Sequence, residues 1–278
     1  MSIKQYIKLA RPANLLLVAT VVLITATLFP EFPNFWTFIL AVLCPVLITA
    51  AGNAINDMCD IEIDRINKPE RPLPSGKLEA KNAKVFMIVA FILGNLAGLL
   101  LGFWSFFISL FIATLLLFWY AYRLRHIALL GNIVVAFLSA LTFLFAAQAF
   151  GDIKLGYIPF LFTFLISVIR EMIKDLEDLD GDGAHDSKTL PVVIGETPTR
   201  VIAGILTIFF LPLIPIPYVA GMYGKWFFFI GIPGVVIPMV IMTINLFQIK
   251  REINYHQMAV ILKIVMFIGL AAIFMGRF

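Results

Sequence analysis

The sequence predicts an all-α integral membrane protein of about nine transmembrane helices, bundled as a single domain over residues 1–278. Three observations predict it. Hydrophobic residues make up 61% of the chain and charged ones 14%, with a mean hydropathy of +0.98, whereas soluble domains carry about 25% charged residues. Apolar runs long enough to cross a hydrocarbon core of about 30 Å recur from end to end. Lysine and arginine crowd into alternate loops, as the positive-inside rule requires.

The first run, 13–29, follows a basic start; no small-residue cleavage site closes it and another span follows at once, so it is read as the first span and not as a leader. The second, 35–57, runs without a break into an acidic segment. The third, fourth and fifth, 82–102, 104–122 and 128–150, lie close together and are parted by Gly, Arg and His. The sixth, 156–176, also ends in acids, and 199–220, 226–248 and 256–276 complete the set.

Basic residues precede span one (Lys4, Lys8, Arg11) and fill the loops after spans two (Arg65, Lys68, Arg71, Lys77), four (Arg123, Arg125), six (Lys188) and eight (Lys250, Arg251). The opposite loops hold only Lys154 and Lys225, with Arg277 at the end, which places the N-terminus in the cytoplasm and the C-terminus outside the cell membrane. Lys263, about two turns into span nine, is read as snorkelling to the interface. The same distribution explains the net charge of +4 without a nucleic-acid patch. Cys44 and Cys59 offer neither a disulfide framework nor a metal-ligand spacing.

Acids are distributed quite differently. Thirteen of the seventeen lie in 57–79 and 171–186, both on the predicted cytoplasmic side. If the second helix persists past the membrane edge, Asn53, Asn56 or Asp57, Asp60 and Asp64 fall on one face. Asp175, Asp178 and Asp182 share a face after span six. Two such rows could meet across a cavity. Carboxylates at this spacing repel one another unless a cation compensates them. Mg²⁺ suits hard oxygen ligands and commonly sits between a few carboxylates and a substrate phosphate, so both metal and phosphate are implied. With no Cys or His cluster, zinc and redox metals are not expected. Arg71, Arg123, Arg125 and Lys188 are candidate phosphate partners, Arg71 foremost, in a Pro-Gly-rich turn that would fix a loop over the helix ends. Asn14, early in span one, either faces the cavity or bonds a neighbouring helix.

These residues resemble the UbiA superfamily of intramembrane prenyltransferases. The Asn-x-x-x-Asp-x-x-x-Asp signature is met by Asn56, Asp60 and Asp64, the Asp-x-x-x-Asp signature by Asp178 and Asp182, and the Arg-Pro-x-x-x-Gly continuation by Arg71, Pro72 and Gly76. Within the superfamily both stretches are most similar to digeranylgeranylglyceryl phosphate synthases of ether-lipid synthesis. Chlorophyll-synthase-like and aromatic prenyltransferases share much of the first stretch. The resemblance implies helices around a central cavity, a cytoplasmic cap, and Mg²⁺-dependent transfer of a long isoprenyl group, geranylgeranyl, from its diphosphate to a lipid acceptor, geranylgeranylglyceryl phosphate. An aromatic or chlorophyllide-like acceptor is the alternative. It implies Asp60, Asp178 and Arg71 as catalytic residues; Asn56, Asp57, Asp60, Asp64, Asp175, Asp178 and Asp182 around the metal; and Asn14, Asn56, Arg71, Tyr120, Arg123, Arg125 and Lys188 around the substrates. Where many relatives carry Tyr-x-x-x-Lys after span four, this chain has Arg123 and Arg125 after Tyr120 and Tyr122.

Two other classes fit less well. A transporter would place its acids near the bilayer midplane and often within repeats. A CDP-alcohol phosphotransferase would need an Asp-Gly-x-x-Ala-Arg element that this sequence lacks.

Overall fold

Apolar runs too long for strands become helices throughout, and no strand occurs among the described residues. The computed structural model describes residues 3–179, 188–248 and 253–278. Asp182, with Asp180 and Asp186, lies outside them. In chain order the helices are α1 (Ile3–Ala10), α2 (Pro12–Thr27), α3 (Phe35–Cys59), α4 (Ile61–Asn67), α5 (Ala80–Leu100), α6 (Phe103–Tyr122), α7 (Leu130–Ala149), α8 (Tyr157–Glu177), α9 (Leu190–Ile194), α10 (Glu196–Val219), α11 (Lys225–Leu246) and α12 (Tyr255–Met275). Eight helices among the described residues are long and apolar enough to cross a membrane, and the bent pair α1–α2 makes a ninth. That agrees with the nine predicted spans, to within a few residues at each edge.

The chain divides into two compact units with the boundary inside α7: residues 1–123 with 141–156, and 124–140 with 157–278. In the first unit α3 packs along α5. Gly94 and Gly98, four residues apart on α5, permit close packing: a Cβ on Gly94 would lie 3.0 Å from Ile48 Cγ1 of α3, and one on Gly98 would lie 2.6 Å from Ser109 Oγ of α6 and 3.4 Å from Cys44 Sγ of α3. Proline closes off options at the start of α2. Pro12 disfavours a helical conformation in the residue before it, and Arg11 takes φ 57° and ψ 78°. As a result α1 and α2 meet at a 57° bend. Asn34 caps α3, its side chain accepting a hydrogen bond from Thr37 N at 3.0 Å.

In the second unit Ile166, Ile169, Met172, Ile173 and Leu176 place one face of α8 in a buried core. Met239, Met242 and Leu246 of α11 join it, with Leu262 and Val265 of α12. The recurrence every three or four residues is what an α-helix with one inward face demands. Large apolar side chains elsewhere point outward: Leu99, Phe111, Phe209, Ile244 and Phe267 are all at least half exposed. In water so much apolar surface would drive association; in a bilayer it is the lipid-facing surface.

Candidate active site

Helix α3 is apolar until Gly52, then brings Asn53, Asn56 and Asp57 in its last two turns. Asn53 and Asp57 are buried. Asn53 Nδ2 donates to the carbonyl of Ala10 at 2.9 Å, and Arg11 Nη2 donates to Asp57 Oδ1. The α1–α2 corner is therefore held to the acidic end of α3 by one main-chain and one side-chain contact. Arg71 Nη1 reaches the same Asp57 Oδ1 at 3.3 Å and Asp64 Oδ2 at 2.5 Å. Two carboxylates whose side chains are 3% and 7% exposed would be costly to bury alone; two guanidiniums offset them.

The predicted turn puts Arg71 in place. Leu78 N bonds Pro72 O and Ser75 N bonds Arg71 O, at 3.0 and 3.1 Å. Leu73 and Leu78 are buried beneath the turn. Gly76 takes φ +70°, which favours glycine. Helix α3 does not run on unbroken to Asp64, as the one-face reading assumed. It ends at Cys59, Asp60 adopts φ −102° and ψ 9°, and α4 begins at Ile61. The hydrogen-bond ladder spans the break, from Asp60 N to Asn56 O at 3.0 Å and Asp64 N to Asp60 O at 2.7 Å. Asp60 is half-buried.

Asn56 Oδ1 is buried and accepts no hydrogen bond. A buried acceptor without a donor is costly, and a cation or its bound water is the partner a hard oxygen in an acidic row can take. Among the described residues no three of His, Cys, Asp and Glu are grouped to cage a metal. The donor set instead fits Mg²⁺ shared with phosphate, which uses one or two carboxylates and leaves the other positions to substrate oxygens and water. Asp57, predicted as metal support, is bonded to Arg11 and Arg71.

The second row stands at the end of α8. Asp175 Oδ2 accepts from Asn132 Nδ2 of α7 at 2.7 Å. Glu177 Oε1 lies 2.7 Å from His256 Nδ1 of α12, and Arg170 bonds Glu171 at 2.6 Å. The helix ends at Glu177, sooner than the one-face reading assumed; exposed Asp178 comes next, its N–H bonded to Lys174 O at 2.9 Å. Nearby in this unit, buried Arg200 donates to the last carbonyl of α11, Leu246 O, at 3.1 Å and to Gln248 O, just past the helix end, at 2.7 Å. This is a C-terminal cap supplied by another helix.

The remaining candidates are more peripheral within their own units. Tyr120 is half-buried near the end of α6, Arg123 is exposed just after it, Arg125 is half-buried in the next turn, and Lys188 and Asn14 are exposed. Sequence reasoning missed Arg11 and Asn132. Arg11 had been counted only as an inside-positive charge, though an Arg-Pro step opening a span is a signal in itself. Asn132 is a lone amide in the first turn of an apolar span, which is also unusual.

The described residues define an all-helical, multi-pass membrane protein with aspartates at helix ends that are met by guanidiniums and amides. The model of the UbiA prenyltransferase family matches residues 15–271, and the chain belongs to that family. It is an integral, multi-pass membrane prenyltransferase. Digeranylgeranylglyceryl phosphate synthase from Methanosphaera stadtmanae is 34% identical over 98% of both chains. The synthase of that name from Methanosarcina mazei is 38% identical over 80% of this chain and 82% of its own. Among solved structures, a digeranylgeranylglyceryl phosphate synthase in membranes superposes with a TM-score of 0.83 at 30% identity, covering 99% of this chain and 98% of that one. A UbiA homolog from Archaeoglobus fulgidus bound to GPP and Mg²⁺ shares the fold, with a TM-score of 0.71 at 18% identity over 97% and 99% of the two chains.

Proposed function

We propose that this protein transfers a geranylgeranyl group from geranylgeranyl diphosphate to the hydroxyl of geranylgeranylglyceryl phosphate, with Mg²⁺ as cofactor. The observation that carries the reading is the cluster of Asp57, Asp64, Arg11 and Arg71 built on the Asn56-Asp60-Asp64 signature, in a chain 34% identical over its length to synthases of that reaction. The allylic carbon–oxygen bond of the donor breaks and its electron pair leaves with the diphosphate. A new carbon–oxygen bond forms to the acceptor, whose hydroxyl loses its proton.

Asn56, Asp60 and Asp64 in the first unit, and Asp175, Asp178 and Asp182 in the second, are the groups that would hold Mg²⁺. When bound, the metal supplies Lewis-acid neutralisation of charge on the leaving diphosphate. Arg71 adds fixed positive charge that need not reorganise during the reaction. Asp57 keeps Arg71 and Arg11 in place. Lys188, Tyr120, Arg123, Arg125 and Asn14 are assigned to contacts with the substrates. The apolar surroundings exclude water from the allylic cation. The distribution of loop charges supports an orientation with both rows on the cytoplasmic side and the C-terminus outside.

The test is incubation of the purified protein with labelled geranylgeranyl diphosphate, Mg²⁺, and a panel of glyceryl-phosphate, phenolic and chlorophyllide acceptors. Product on geranylgeranylglyceryl phosphate alone, lost with EDTA, is the expected result. Transfer only to a phenol or chlorophyllide overturns the acceptor assignment. Unchanged transfer in EDTA overturns the metal.

A further inference from the structure

We propose that Asn132 is a positioning residue for the second aspartate row, orienting the Asp175 carboxylate toward bound Mg²⁺; this rests on the metal role proposed for Asp175 and Asp178. Asn132 Nδ2 donates to Asp175 Oδ2 at 2.7 Å across 43 residues of sequence. Both residues are half-buried. A hydrogen bond to one carboxylate oxygen fixes rotation of the whole group. The amide brings no charge of its own, so it orients Asp175 without competing electrostatically for a cation. That is the pattern of residues that support a metal ligand from behind, whose loss typically weakens metal binding about 10–100-fold.

The backbone that carries Asn132 is itself held in a demanding conformation. Leu129, three residues earlier, has φ +63°, a region that residues with a Cβ rarely enter. A Cβ on Gly131 would lie 3.4 Å from both Arg125 Cα and Leu124 O, so the start of α7 rests directly on the preceding turn. The effect is to hold Asn132 at one place and height beside α8.

The experiment uses the full-length protein in detergent. Mg²⁺ half-saturation is measured twice: by Mg²⁺-dependent thermal stabilisation in the presence of geranylgeranyl diphosphate, and by the Mg²⁺ dependence of diphosphate release. Asn132→Leu and Asn132→Ala should each raise half-saturation about 10-fold in both readouts, and Asn132→Gln should restore part of the loss. In an Asp175→Asn background the same substitutions should add less than about 2-fold, because the pair acts as one unit. Unchanged half-saturation in a folded Asn132→Leu or Asn132→Ala protein overturns the inference. So does failure of both variants to fold, which would make the bond purely structural. Asp178→Ala is the control: if it too leaves Mg²⁺ dependence untouched, the metal assignment of the proposed function is what has failed.

Discussion

Asp57 and Asp175 occupy matching places in their rows, each three residues ahead of a signature aspartate, and each is reached by side chains from a distant segment: guanidiniums at Asp57, an amide at Asp175. Asp57 is buried and bonded by two guanidiniums, Arg11 and Arg71. Asp175 is half-buried and takes an amide proton from Asn132. A charged partner neutralises as well as orients; a neutral one only orients. The first row therefore contains a self-compensated ionic knot next to its candidate ligands, whereas the second is anchored by bonds to neighbouring helices, through Asn132 and through His256 at Glu177. The same residue type at the same spacing can serve as scaffold in one row and as candidate ligand in the other.

The sharpest way to break this comparison is to remove the signature aspartates. Asp60→Ala and Asp178→Ala should each lower Mg²⁺-dependent diphosphate release from geranylgeranyl diphosphate by about 100-fold or more, measured in purified protein with unchanged thermal unfolding. Near-normal release from either variant would remove that row from the chemistry.

Arg71→Ala should act first on stability. It strips both Asp57 and Asp64 of a partner and leaves buried carboxylates exposed to each other, at a cost of about 3 kcal/mol in denaturant unfolding. Adding Asp64→Asn should recover part of it. If Asp64→Asn makes matters worse, the ionic knot does not work as described.

Arg200→Met separates architecture from chemistry in the second unit. Loss of the bonds to Leu246 O and Gln248 O should cost about 2 kcal/mol and lower the melting temperature. Mg²⁺ half-saturation should stay where it was.

The smallest expected effects come from the caps. Asn34→Ala in the first unit and Asn254→Ala in the second each delete a side-chain bond to a helix-starting N–H, at 3.0 and 2.9 Å. Each should cost about 1 kcal/mol, read from denaturation midpoints. A much larger loss at one cap would show that its unit depends on local helix starts more than the other does.

The spans were legible because a bilayer demands long apolar runs, and Ala80–Leu100 or Tyr255–Met275 can hardly be read otherwise. The aspartate rows were legible because Asp60, Asp64, Asp175 and Asp178 keep helical spacing where apolar spans end. The break at Asp60 was not, since nothing local to Cys-Asp-Ile-Glu forbids a continuous helix; the chain leaves it only at ψ 9° of a single residue. Arg11 and Asn132 were hidden for another reason. Their partners are 46 and 43 residues away, and spacing within one segment carries no information about contacts between segments.

The stretches Ile108–Thr114 and Ile232–Val236 are wound as π-helix inside longer spans. Such a turn absorbs one residue more than an ordinary one while both flanks keep their faces. Among the described residues these are two sites where chain length can change by one without rotating the rest of the helix. A single deletion within 108–114 should relax to plain α-helix and keep the flanking contacts intact, whereas the same deletion in α5 would swing every later side chain of that helix by about 100°. Kin that are one residue shorter should have lost it at these two places.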